Sequence, residues 1–96
     1  MYVSMRQYPR ITPVDFNTLM SRAVDVEGLI RQVSGFLRYD LVRTTNGITS
    51  LTFCKDRVGA EASNLKVAAW IELNLPGLLA NAPVISGGEQ VVHFSV

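Results

Sequence analysis

The 96-residue sequence carries nine basic and eight acidic side chains, a formal net charge of +1, and 48% hydrophobic against 18% charged residues. That composition excludes a disordered chain, and charge scattered evenly along the length leaves no basic stripe to hold a nucleic acid backbone. No run approaches the roughly eighteen apolar residues of a membrane span, so a single cytoplasmic domain over residues 1–96 is expected, with a core marginal enough that association would help it.

The first run, Tyr2 to Tyr8, alternates Val3 and Met5 against Ser4 and Arg6 and stops at Pro9, the pattern of a half-buried strand. Thr12 is placed to cap a helix, with Pro13 at its first position, where a missing N–H costs nothing, and Ile11 and Phe16 spaced as a hydrophobic staple. Phe16, Leu19, Met20, Ala23, Ile30 and Val33 keep helical spacing until Ser34-Gly35, with Gly28 the interior weak point where a bend is expected. Phe36–Thr44 and Ile48–Lys55 read as a hairpin. A three-residue loop with Gly47 left-handed pairs Leu41 with Leu51 and Tyr39 with Phe53, which keeps one face apolar and is preferred on that ground to the two-residue Asn-Gly turn. Asp56 is a cap for a further helix whose stripe is Val58, Ala62, Leu65, Ala69 and Leu73, ended by Pro76-Gly77. Leu78–Ala82 is expected as a short helical turn, Gly87-Gly88 as a bend or bulge, and Glu89–Ser95 as the last strand.

The fold class is therefore α+β, ordered β-α-β-β-α-β, a four-stranded antiparallel sheet with two helices on one face. Alternation sorts Val3, Met5, Leu37, Tyr39, Leu41, Leu51, Phe53, Val92 and Phe94 onto the face the helices cover. The other face, with Tyr2, Arg6, Phe36, Arg38, Asp40, Val42, Ile48, Cys54 and His93 among its residues, is too apolar for water and too polar for a dry core, and suits a homodimer interface around a partly polar cavity.

The run Gly35-Phe36-Leu37-Arg38-Tyr39, the hairpin into Phe53-Cys54-Lys55-Asp56, and the helix from Glu61-Ala62-Ser63 to Ala69-Trp70 before Gly88-Glu89 resemble the antibiotic-biosynthesis-monooxygenase-like members of the dimeric α/β-barrel superfamily. The resemblance spans nearly the whole chain. It implies a ferredoxin-like fold paired into a barrel, and activities that run from cofactor-independent oxidation of aromatic polyketides to haem degradation. Oxygenases of that family carry an Asn on or near the first strand, where this chain has Arg6-Gln7, and a Trp on or after the second helix, a role Trp70 can fill. Haem-degrading members use a helical His, and the only histidine here is His93, in the expected last strand.

The candidate residues are accordingly His93 and Trp70 for chemistry, and Arg6, Arg38 and Asp40 for a small aromatic or anionic ligand. Each also has a plain structural reading: Trp70 as core packing, His93 as an interface side chain, Arg38 with Asp40 as an interface ion pair. Cys54 reads as a packing residue, because a lone cysteine forms no internal disulfide or metal motif. No cofactor or metal is expected. No Ser-His-Asp series supports a hydrolase, no nucleotide-binding glycine loop opens a helix, and the third strand lacks the exposed aromatics of an RNA-binding sheet. Two functions stay open: a small-molecule-binding homodimer, if an enzyme then a cofactor-independent monooxygenase, and a non-enzymatic accessory dimer.

Overall fold

The computed structural model describes residues 1–80 and 83–96. Its elements run β1 (Tyr2–Tyr8), α1 (Pro13–Ser21), α2 (Ala23–Arg31), β2 (Phe36–Arg43), β3 (Ile48–Cys54), α3 (Arg57–Asn74), a 3-10 turn (Pro76–Ala80) and β4 (Val84–Glu89). The sheet is antiparallel throughout, in the order β2-β3-β1-β4. The expected α+β order holds, with one correction to the helices. The first helical run is two helices, and it breaks at Arg22 instead of bending at Gly28. Thr18 Oγ1 donates to the Val14 carbonyl at 3.0 Å and Ser21 Oγ to the Thr18 carbonyl at 2.8 Å. Hydroxyls that compete for helix carbonyls loosen the ladder at that point.

The helix starts follow their side chains. Thr12 Oγ1 accepts from the Asp15 amide at 3.1 Å, and Asp56 Oδ1 accepts from the Gly59 amide at 2.9 Å. After α2 the chain turns at Gly35, whose φ of 85° favours glycine, and its carbonyl accepts from the Lys55 amide at 2.8 Å.

The β2–β3 hairpin takes neither register weighed from the sequence. Leu41 stands opposite Ser50 and Tyr39 opposite Thr52, and the Thr44 amide donates to the Gly47 carbonyl at 3.0 Å across Thr45-Asn46. Gly47 is not left-handed. It is glycine because a Cβ there would lie 1.9 Å from the Tyr8 carbonyl oxygen, where the end of β1 crosses the loop. A bulge between Phe36 and Arg38 then resets the pairing, so that Phe36 meets Cys54 and Arg38 meets Phe53. One extra residue flips the side-chain parity of a strand. Phe36, Tyr39 and Leu41 therefore pack towards the helices, while Leu37 is exposed.

On β1 and β3 the two faces are the reverse of the expectation. The helices cover Ser4, Arg6, Tyr8, Ile48, Ser50, Thr52 and Cys54, none more than 6% exposed. Val3, Met5, Leu51 and Phe53 lie on the open side, with Met5 37% exposed. Summed hydrophobicity chose wrongly because the polar face completes its own hydrogen bonds: among the described residues no buried side-chain nitrogen or oxygen lacks a partner. The stripe of α3 rotates to match. Ala60, Ser63, Val67, Trp70 and Ile71 face inward, and Val58, Leu65 and Leu73 of the expected stripe face out. Around them the core gathers Tyr8, Leu19, Val26, Ile30, Ile48, Leu75 and Leu78.

The last strand is displaced as well. Val84–Glu89, not Glu89–Ser95, pairs with β1, so Gly87-Gly88 lie inside the strand. The Gln90 amide donates to the Met1 carbonyl at 2.9 Å just past the paired residues. Residues 91–96 are outside any strand and exposed, Val92 and Phe94 with them instead of in the core. Of the expected turn at Leu78–Ala82, the part up to Ala80 forms the 3-10 turn, and Asn81 and Ala82 lie outside the described residues.

Candidate functional site

The polar half of the covered face makes the site. Alternate residues of a strand share a side, so β1 presents Ser4, Arg6 and Tyr8 together, and β3 presents Ser50 and Thr52 beside them. Arg6 is 6% exposed. Its Nε and Nη2 both donate to the Tyr8 hydroxyl, at 3.2 and 2.9 Å, and Nη1 donates to the Asn64 carbonyl of α3 at 3.3 Å. Asn64 Nδ2 in turn donates to Ser4 Oγ at 2.7 Å, tying helix to strand. Among the described residues no carboxylate pairs with Arg6. A guanidinium does not lose its proton, so this is a buried positive charge held by neutral groups alone.

Next to this cluster the core leaves a gap of about 20 Å³, bordered by Tyr8, Tyr39, Leu41, Ser50, Val67 and Trp70 among others. That is room for one water. Burial raises the Tyr39 phenol above its ordinary range, with a hydrogen bond from Ser50 partly opposing, and it therefore stays a neutral donor. Cys54 is pushed up in the same way by burial, and its Sγ lies 3.9 Å from Ser63 Oγ, a packed thiol as expected.

The five residues singled out from the sequence do not meet. Arg6 and Trp70 are on the helix side of the sheet, both buried. Arg38 and Asp40 are on the open side, ion-paired at 2.9 Å, with the Arg38 guanidinium 5.2 Å from the centre of the Phe53 ring. His93 lies on the exposed segment after β4. The single cavity expected to gather Arg6, Arg38 and His93 is therefore not formed within one chain, because the hairpin register sets Arg38 opposite Phe53, on the other face from Arg6 and its partner Ser50. Sequence reasoning missed Tyr8, Tyr39, Ser50 and Asn64. The signal available was Arg6 and Tyr8 two apart on one strand, a cation and a phenol that must share a side. Among the described residues no group of three His, Cys, Asp or Glu could hold a metal, and no helix is long and apolar enough to cross a membrane.

A four-stranded antiparallel sheet in this order, with helices on one face and a lined gap between, can be set against known structures. No family model matches the sequence, and no curated protein matches it. Solved structures do. A monooxygenase of Streptomyces coelicolor in complex with nanaomycin D superposes with a TM-score of 0.71 at 14% identity, covering 99% of this chain and 91% of that one. The fold is that of the antibiotic-biosynthesis-monooxygenase-like proteins. A putative antibiotic biosynthesis monooxygenase of Bordetella bronchiseptica gives a TM-score of 0.73 at 11% identity over 95% of this chain and 97% of that one. A dimeric ferredoxin-like protein from an uncultured marine organism gives 0.70 at 13% identity over 99% and 98%. Identities this low carry the ferredoxin-like architecture and leave the residues of the site to be judged on this chain's own geometry.

Proposed function

We propose that the protein is a homodimer in which each protomer binds a small hydroxylated aromatic molecule in the gap between sheet and helices, with an anionic oxygen of the ligand on Arg6. One observation carries this reading: a cation 6% exposed, without a carboxylate partner, hydrogen-bonded to Tyr8, whose side chain borders the gap. A phenolate or enolate is the complement such a charge lacks, and the aromatic and aliphatic borders of the gap suit a flat apolar body. The chemistry that follows is a cofactor-independent oxygenation. Arg6 favours the ionised substrate, which supplies the electrons to dioxygen, and the neutral Tyr39 phenol donates to the oxygen that becomes reduced. The nanaomycin D complex of the Streptomyces protein lends the aromatic class its support.

Association is supported by area. A folded protein of 10.6 kDa exposes about 5,500 Å² by the surface-to-mass relation. This chain exposes 6210 Å². The surplus of roughly 700 Å² is close to what each partner gives to an interface of standard size. Val3, Met5, Leu51 and Phe53 supply an apolar patch for it, with Arg38 and Asp40 already paired to each other beside them, and Val91 and Phe94, about 90% exposed, add to what a second copy would cover. The marine relative is described as dimeric.

The accessory-dimer reading is favoured by a different observation, the small size of the gap. Both are decided by calorimetric titration with 1,8-dihydroxyanthraquinone and by oxygen uptake on 1,8-dihydroxyanthrone in the presence of a chelator. Saturable binding, one ligand per protomer, and chelator-insensitive uptake are expected. No binding leaves only the accessory dimer, and uptake abolished by the chelator contradicts the cofactor-independent chemistry.

A further inference from the structure

The gap has too little room for an aromatic ring, so one of its walls must move if a ligand is to enter. Two bordering residues also face an outer hollow: Trp70, and Leu78 beside the start of α1. A leucine that moved would free little space, and no polar group restrains it. Trp70 differs on both counts. Its indole separates the gap from a groove on the α2–α3 seam bordered by Arg22, Asp25, Gly28, Gln32 and Asn74. On the groove side the Arg22 guanidinium lies 5.2 Å from the centre of the Trp70 ring. Arg22 is the residue at which α1 and α2 part, and no side-chain cap occupies it there. Its Nε pairs with Asp25 at 3.1 Å and its Nη1 donates to Asn74 Oδ1, while Asn74 Nδ2 donates to the Trp70 carbonyl at 2.8 Å.

We propose that Trp70 is the door of the gap and Arg22 its latch. The indole swings into the groove, and that one movement both opens the route and vacates the space a ring needs. Arg22, stacked on the indole and held by Asp25 and Asn74, keeps the closed position dominant in the free protein. The open state is then a minor one that a ligand selects, and loosening the latch raises apparent affinity by raising the competent fraction. Gly28 leaves room for that movement, since even a Cβ at that position would meet nothing within 4 Å. This inference deepens the binding reading above, yet half of its test needs no ligand.

Trp70 is the only tryptophan, so the protein's indole emission reports it alone. Acrylamide quenching of the free protein is the first measurement. Arg22→Ala is expected to raise the bimolecular quenching constant about fivefold, the size of one lost cation–π restraint. Asn74→Ala is expected to act in the same direction. Arg31→Ala, which breaks the exposed pair with Glu27 elsewhere on α2, is expected to leave quenching as in the wild type. Stopped-flow binding of 1,8-dihydroxyanthraquinone is the second measurement. Association is expected to speed up in Arg22→Ala and to slow in Gly28→Leu, which fills the groove without straining the backbone. Wild-type quenching in Arg22→Ala, or faster association in Leu78→Ala but not in Arg22→Ala, overturns the door. Raised quenching with no ligand bound by any variant keeps the door and removes the binding reading, so the two fail separately.

Discussion

The two faces of the one sheet are buried by different means. On β1 and β3 the face against the helices is the more polar of the two: Ser4, Arg6, Ser50 and Thr52 are all buried there, and the bonds from Arg6 to Tyr8, with those joining Arg6 and Ser4 to Asn64 of α3, offset part of their lost hydration. On the same two strands the open face, with Val3, Met5, Leu51 and Phe53, is the more apolar and is left half-covered by its own chain. Apolar area measures how much a face gains from cover, and it does not say what provides the cover. A second copy can cover the apolar face, whereas the polar one needs partners placed to a fraction of an ångström, which only its own chain supplies.

That contrast is broken most severely at Ile48, which is 3% exposed on the helix side. Ile48→Lys is expected to cost on the order of 4 kcal/mol or more in urea denaturation, enough to leave a domain of this size largely unfolded. Phe53→Asp, one strand face away, is expected to keep the far-ultraviolet circular dichroism of the wild type and to weaken the dimer about a hundredfold by sedimentation equilibrium. Similar unfolding by both substitutions would show that the faces are not distinct in kind.

Arg6→Met sharpens the same contrast within the site. A buried cation with only neutral partners is replaced by an apolar side chain of similar length, so stability is expected to change by about 1 kcal/mol or less, while affinity for 1,8-dihydroxyanthraquinone falls at least tenfold. A large loss of stability with unchanged affinity would mean that Arg6 serves the core alone.

The smallest effect is a pH dependence. Burial raises the Tyr39 phenol, so the folded protein holds that proton to higher pH than the unfolded chain does. The resulting stability is complete below the ordinary phenol value of about 10 and is lost as pH rises through the folded value. Cys54 contributes with the same sign at somewhat lower pH. The difference between wild type and Tyr39→Phe in urea midpoint isolates the phenol, and it is expected to shift against the wild type between pH 9 and pH 11.

Much of the chain order was legible in the sequence. Thr12, Asp56 and Gly35 mark helix ends through local chemistry, and local chemistry needs no knowledge of the rest of the chain. The faces were not legible, because a period of two divides β1 and β3 into two sets without saying which meets the helices. Leu37 shows the same limit, since a bulge leaves no mark in alternation and yet turns Phe36 to the core. For β4, the alternating Val92 and Phe94 looked like a strand, but it is Val84–Glu89, with glycines in place of alternating apolar side chains, that pairs with β1. In the candidate site, Arg6 and Trp70 were singled out as a charge on a strand and a lone tryptophan, with Arg6 expected on the face away from the helices. Tyr8, Tyr39 and Asn64 were missed because only the tertiary arrangement joins them to Arg6.

The helices cover one sheet face and a second copy is expected to cover the other, and hydroxyl-radical footprinting with mass spectrometry reads both at once. Oxidation of Met5 and Phe53 is expected to rise as the protein is diluted through its dimer dissociation constant, while Tyr8 stays protected at every concentration. Labelling of Met5 that does not depend on concentration, or a Tyr8 labelled faster than Met5, would contradict this arrangement.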